Sequence, residues 1–233
     1  MNNIALAGLI FTSPSAAFAE LKERPRFLFP LIALVAGTAL LTLWYYSAVD
    51  FEWLKDFLFS SNERIQQMPD AARAKAMSMM SKNFIAASGV IGAAIGLPIA
   101  FAAESAYFML AGKISNVQRS FLHWFSLVCW SGLPALAGMV AGMLLLLTRG
   151  THLQISPYEL QLLSLNELLF HLAPGAPGFM LLSQLSLLSF WVWGLCIVGV
   201  RAWSNRSWAF SSIFVLLPFA AFYGIWAVFA FKS

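Results

Sequence analysis

Charged residues are scarce in this sequence, and their scarcity excludes an ordinary soluble protein. Only 10% of the 233 residues are Asp, Glu, Lys or Arg, whereas 60% are hydrophobic. A soluble domain has about 25% charged residues, which cover its surface in water. This chain therefore needs a different covering, and a lipid bilayer provides one.

Cysteine and histidine are also rare, which argues against the usual metal and redox sites. Cys129 and Cys196 lie in separate apolar stretches and have no Cys-x-x-Cys spacing. His123, His152 and His171 are scattered, and the His-Glu-x-x-His pattern is missing. The sequence also has no Walker loop, dinucleotide fingerprint or nucleophile elbow. We predict no catalytic residues, no metal and no cofactor.

Long apolar segments are what the sequence has in abundance. A helix needs roughly 20 apolar residues to cross about 30 Å of hydrocarbon. Five segments reach that length: 27–48, 84–112, 121–148, 179–203 and 208–231. The sequence therefore predicts an all-α, polytopic integral membrane protein. We expect residues 27–233 to form a single domain, a five-helix transmembrane bundle in a lipid bilayer.

Residues 1–26 precede the first span and allow two interpretations. Ile4 to Phe11 is a short apolar run, and Ala17-Phe18-Ala19 resembles a signal-peptide cleavage site. However, no Lys or Arg precedes the run, whereas signal peptides begin with a positively charged region. We favour a retained amphipathic helix at the membrane interface. Its expected features are Ser13 as cap, Pro14 at the first position, Phe18 and Leu21 on one face, and Pro25 at the end.

The two long loops contain further helix signals. In the first loop, residues 70–80 follow Pro69 and predict a helix that leads into the second span. In the third loop, Ser156-Pro157-Tyr158-Glu159 matches a capping box, and a Leu-rich stretch continues to Leu172. Because that stretch is short and has polar breaks, it predicts an interfacial or partly re-entrant helix rather than a sixth span.

The positions of Lys and Arg predict the orientation in the membrane. The net charge of +4 does not indicate nucleic-acid binding, because the basic residues stand at the ends of apolar segments. Seven basic residues fall on each side of the membrane, so the choice depends on loop type. Both short connections, around residues 113–119 and 201–206, are basic, and short basic connections stay inside. We predict a cytoplasmic N-terminus. The aromatic groups Trp44 to Tyr46, and Trp124, Trp203 and Trp208, predict the two interfaces.

Glu104 is the clearest candidate for an intramembrane polar site. It lies inside the second span, and a carboxylate in lipid is costly, so it is a functional candidate. It would serve there as a proton or cation site. Alternatively, it pairs with Arg119 or His123 across the hairpin, while Tyr107, three residues along the helix, offers a hydrogen bond.

Glycines and prolines inside the spans predict how the helices pack and bend. Small-residue pairs at this spacing let helices approach closely, either within the bundle or between copies of the chain. The pairs are Gly92 with Gly96 and Gly138 with Gly142. Internal prolines bend a helix because they remove a backbone donor. The three prolines are Pro98, Pro134 and Pro218.

The layout resembles the Yip family of Ypt/Rab-interacting membrane proteins over nearly the whole chain. Ser13-Pro14 ahead of the first helix looks like the family's N-terminal segment, and Lys113 to Arg119 looks like its tight basic hairpin. Trp130 to Pro134 is similar to its mid-helix pattern, and Trp191 to Pro218 resembles its closing helices. The Asp-Leu-Tyr-Gly-Pro motif and long N-terminal region of eukaryotic members are absent. These differences suggest a prokaryotic member in the cytoplasmic (inner) membrane.

Three functions follow from these observations, in decreasing order of support. The first is a non-catalytic protein that organises membranes or partner proteins, with membrane-protein partners or a homo-oligomer. The second is a small transporter or channel that uses Glu104, although the two halves show no internal repeat. The third is an intramembrane enzyme, for which only Glu104 and His123 offer any support.

Overall fold

The computed structural model describes residues 1–61 and 63–231. Asn62, Lys232 and Ser233 lie outside the described residues, and all three belong to the predicted domain over residues 27–233. The described chain is helical, with two isolated β-bridges and no strand. Its helices are α1 Asn3–Thr12, α2 Pro14–Glu23, α3 Leu28–Ala48, α4 Phe51–Ser60, α5 Glu63–Gln66, α6 Asp70–Met79, α7 Lys82–Ile114, α8 Phe121–Ser131, α9 Ala135–Arg149, α10 Phe179–Gln184, α11 Leu187–Ser204 and α12 Trp208–Ala230.

Five spans are long and apolar enough to cross a membrane, as predicted, so the chain is a multi-pass membrane protein. They are α3, α7, α8 with α9, α11, and α12. Pro98 and Pro218 remain inside their helices. Near Pro134 a turn interrupts the helix of the third span between α8 and α9, because proline cannot donate the hydrogen bond that would continue the helix.

The fourth span is shorter than predicted. The predicted helix over residues 179–203 is wrong at its start, because the chain leaves the helix at Leu185 and resumes at Leu187. The amide of Leu187 donates to the carbonyl of Leu163, and the amide of Leu165 donates to the carbonyl of Leu185. These long-range bonds replace helical ones and separate α10 from α11.

The predicted interfacial helix of the third loop is also wrong. Half of the capping box forms, since the Ser156 amide donates to the Glu159 carboxylate at 2.8 Å. The chain then makes turns and one π-helical segment, Asn166–Phe170. The Asn166 side chain bonds both the amide and the carbonyl of Leu172. Asn166 thereby closes a compact loop instead of continuing a helix.

The first loop contains more helix than predicted. The predicted helix over residues 70–80 is confirmed as α6. The preceding α4 was missed, although its signal was present: Asp50 accepts hydrogen bonds from the amides of Glu52 and Trp53 and caps the helix.

The chain forms two compact units. Unit 1 comprises residues 1–36, 95–137 and 188–225, and unit 2 comprises residues 37–94, 138–187 and 226–233. In unit 2, Tyr45 donates to the carbonyl of Ile155 at 2.8 Å, which fixes the end of α3 to the third loop. Leu54 of α4 is fully buried in the same apolar cluster.

The core of unit 1 encloses the N-terminal helices. Phe18 and Leu21 share one face of α2, as predicted, and both are fully buried with Leu6 and Ile10 of α1. This apolar face therefore packs on protein rather than on lipid. Ser13 is the N-cap residue and Pro14 begins α2, as predicted, although the Ser13 side chain makes no capping hydrogen bond. The helix ends at Glu23, two residues before Pro25.

Two tryptophans assigned to a membrane interface are core residues instead. Trp124 and Trp203 are buried in unit 1, where their ring centroids lie 5.5 Å apart. Trp203 donates to the carbonyl of Phe18 at 2.7 Å. Trp208, by contrast, is exposed. Aromatic rings near helix ends thus fill the core as well as the interface.

Candidate functional site

Glu104 lies on α7 in unit 1 and is partly buried among apolar residues. Its described polar neighbour is the thiol of Cys196, whose Sγ lies 3.9 Å from the Glu104 Oε1. Cys196 belongs to α11 and is fully buried. The contact joins two transmembrane helices at a polar point inside an apolar unit.

Two residues of α8 complete this polar cluster, which we define as Glu104, Cys129, Ser131 and Cys196. Cys129 interacts electrostatically with Glu104, and Ser131 lies beside Cys196. The Ser131 hydroxyl is fully buried, and its oxygen has no partner at hydrogen-bond geometry among the described residues. The Cys196 thiol is therefore the polar group next to the Ser131 hydroxyl.

The structure does not bring the predicted partners of Glu104 to it. Glu104 forms no ion pair with any residue in the described part of the chain. Arg119 donates to the carbonyl of Trp203 at 3.5 Å, and the His123 Nδ1 bonds the Ser120 hydroxyl at 2.7 Å. The expected pairing across the hairpin is therefore wrong, because Arg119 bonds a carbonyl of α11 and His123 bonds a neighbouring hydroxyl.

Tyr107, the predicted hydrogen-bond partner of Glu104, also bonds a different group. Its hydroxyl donates to the carbonyl of Phe214 on α12 at 3.0 Å, and its ring packs near the ring of Phe214. Tyr107 therefore tethers α7 to α12. Sequence spacing placed it on one helical face with Glu104, but a neighbouring helix supplied the better acceptor.

The glycine pairs have different surroundings. A Cβ atom at Gly92 or Gly96 would meet nothing within 4 Å, so this pair does not bring helices together within the chain. A Cβ atom at Gly142 would lie 3.3 Å from the carbonyl oxygen of Leu160. Gly142 therefore allows close packing, whereas Gly138 is partly buried.

The polar cluster could hold or pass a proton, since a carboxyl group and two thiols are proton carriers. In the described part of the chain, no group of three or more His, Cys, Asp or Glu side chains could hold a metal ion. Cys196 was not predicted as a neighbour of Glu104, and no spacing signal indicates it, because 92 residues separate the two.

Comparison with family models decides the relationship that the sequence layout suggested. The model of the Yip1 domain matches residues 8–229. The chain belongs to the Yip1 family. The match includes α2, both long loops and all five spans of this Yip1-family protein except Ala230 at the end of α12. Comparison with curated proteins and with solved structures gave no match.

Proposed function

We propose that this Yip1-family protein is a non-catalytic membrane protein that organises its membrane and partner proteins. The observation that supports the proposal is how its polar side chains are used. Tyr107 and Arg119 donate to backbone carbonyls of neighbouring helices, and His123 bonds Ser120. The groups that a catalytic site would need thus hold the helices in place.

We also infer a location in the cytoplasmic membrane of a prokaryote, with a cytoplasmic N-terminus. The basic character of both short turns supports this orientation. Residues 1–26 would form a retained segment at the interface, ahead of a single transmembrane domain over residues 27–233.

Self-association would be one means of organisation. Gly92 and Gly96 are exposed on α7, and both are open to a second helix. Pairs of glycines at this spacing allow two copies of a helix to approach closely, because they remove side-chain bulk. We propose that a second copy of the chain packs on this face.

The first prediction tests that contact. Gly92→Ile and Gly96→Ile should lower the fraction of dimers counted by single-molecule photobleaching in lipid nanodiscs. Gly224→Ile is a matched control, because Gly224 is also exposed and open but lies on α12. A wild-type protein that is monomeric at every protein density, or an equal effect of the control, would contradict this contact.

A transporter or channel is the second candidate, and one observation favours it. Glu104 has no cationic partner among the described residues and touches a buried thiol. Ionisable groups inside transmembrane segments are rare and often mark ion or proton pathways. The polar cluster would then be the binding point for the proton or cation.

The second prediction separates the two candidates. Purified protein in proteoliposomes should give no proton, sodium or potassium flux above that of empty vesicles. Glu104→Gln should leave both flux and unfolding temperature nearly unchanged, because it breaks no ion pair. A robust wild-type flux that disappears in Glu104→Gln, with unchanged thermal stability, would favour the transporter over the organiser.

A further inference from the structure

Two short turns of unit 1 are tied together by their arginines. The guanidinium of Arg119 donates to the carbonyl of Trp203, and the guanidinium of Arg206 donates to the carbonyl of Ser115 at 3.3 Å. Each turn also contains an asparagine in the left-handed region, Asn116 at φ 60° and Asn205 at φ 54°. The turns therefore form one braced basic surface.

A cavity of about 300 Å³ opens beside this surface. Arg201 and Arg206 line it together with Ser15 and Asn205, and no acidic residue does. Arg201 stands over the ring of Trp208, with its guanidinium carbon 4.2 Å from the ring centroid. Among the described residues, the Arg201 guanidinium has no hydrogen-bond or ion-pair partner. Its donors therefore remain available to an anion.

The lining changes from polar to apolar along one face of α11. Val198, Arg201 and Asn205 are spaced by three and four residues, so they lie in a row on the helix surface. Val198 provides an apolar end to the cavity, and Asn205 with Arg206 provides a polar end. A free inorganic anion would use only the polar end, whereas a phospholipid would use both.

The charge distribution favours a negatively charged ligand. Unit 1 contains seven Lys and Arg residues but only three acidic ones, Glu20, Glu23 and Glu104. Glu20 is paired with Arg26 at 2.9 Å. Unit 2 has equal numbers of basic and acidic residues, so the whole net charge of +4 falls on unit 1.

We propose that this cavity binds the phosphate headgroup of an anionic phospholipid. Arg201 and Arg206 hold the phosphate oxygens, the Ser15 hydroxyl and Asn205 amide add polar contacts, and Val198 meets the first part of the acyl chain. The exposed Trp208 ring supports Arg201 from one side through a cation–π contact. The inference goes beyond the proposed organising role and does not depend on it.

Native mass spectrometry of the full-length protein tests this site. Phosphatidylglycerol and phosphatidylcholine would be added in equal amounts, and the wild-type protein should retain phosphatidylglycerol preferentially. Arg201→Gln should weaken that retention by about fivefold, since one basic residue near an anionic surface contributes about that factor. Arg201→Gln with Arg206→Gln should lower it further, and Arg201→Lys should retain more phosphatidylglycerol than Arg201→Gln.

Arg149→Gln is the matched control, because Arg149 is also an exposed arginine at the end of a span. It should leave retention unchanged, and the single variants at Arg201 and Arg149 should keep the wild-type unfolding temperature. Arg206 also connects the two turns through the Ser115 carbonyl. If the double variant unfolds for that reason, the single Arg201 variants alone test the lipid site. Equal retention of both lipids by the wild type, an equal effect of the control, or displacement of the lipid by millimolar inorganic phosphate would overturn the proposal.

Discussion

At the scale of single residues, close packing in unit 1 depends on positions where no side chain fits. Gly112 stands at the end of α7, where the chain folds back towards α8. A Cβ atom there would lie 2.6 Å from the carbonyl oxygen of Val117 and 3.2 Å from the ring of Trp124. Backbone and a buried indole cannot both move away, so only glycine fits.

The third prediction follows from this contact. Gly112→Ala should destabilise the protein by about 1–3 kcal/mol, because the added methyl group overpacks a filled site. Gly92→Ala is the matched control on the same helix, and it should have little effect on unfolding, because its Cβ meets nothing within 4 Å. The measurement is thermal unfolding in detergent. Equal unfolding temperatures for the two variants would contradict the packing argument.

The sequence could point to Glu104 but not to its surroundings. A lone acidic residue in an apolar segment is visible in the sequence, because it breaks the composition of the segment. Its neighbour Cys196 is visible only in the structure, since the contact depends on how α7 and α11 pack. For the same reason, spacing in the sequence could not identify the carbonyls that accept hydrogen bonds from Tyr107 and Arg119.

At the scale of elements, α2 is held by buried contacts as well as by its apolar face. The Trp203 indole of α11 donates to the carbonyl of Phe18, and both residues are buried. At the end of the segment, the Arg26 carbonyl accepts bonds from Ser126 and from Trp130, both on α8. These bonds connect the N-terminal segment to the membrane-spanning helices of unit 1.

The fourth prediction tests the first of these bonds. Trp203→Phe should cost about 1 kcal/mol, because it removes one buried hydrogen bond between α11 and α2. It should also speed hydrogen exchange in α2. Trp191→Phe is the control, since Trp191 is half-exposed and keeps an aromatic ring near Phe11. If exchange in α2 is the same in both variants, Trp203 does not anchor this helix.

Elements with long apolar runs could be predicted from the sequence, and elements defined by tertiary contacts could not. The spans follow from length and composition alone, so four of the five agree closely with the structure. The fourth span and the third loop differ because the backbone at residues 163–165 bonds the backbone at residues 185–187. Such bonds link segments about 20 residues apart, and a periodic pattern of apolar residues within one helix cannot predict them.

At the scale of the whole molecule, the charge pattern and the family relationship agree with the apolar helices. The chain is a multi-pass member of the Yip1 family, and the matched residues 8–229 contain all of its five spans except Ala230. The excess of basic residues falls in unit 1, which contains both short turns. We therefore expect both turns to lie on the cytoplasmic side, where Lys and Arg are retained.

The fifth prediction is the most direct test of this account. Single cysteines would replace Ser60, Ser115, Gly150 and Ser204 in a chain whose Cys129 and Cys196 are changed to Ala. A membrane-impermeant maleimide applied to intact cells should label the cysteines at positions 60 and 150 only. The cysteines at positions 115 and 204 should react only after the membrane is permeabilised. Labelling of position 115 from outside intact cells would contradict the five-span, N-inside arrangement.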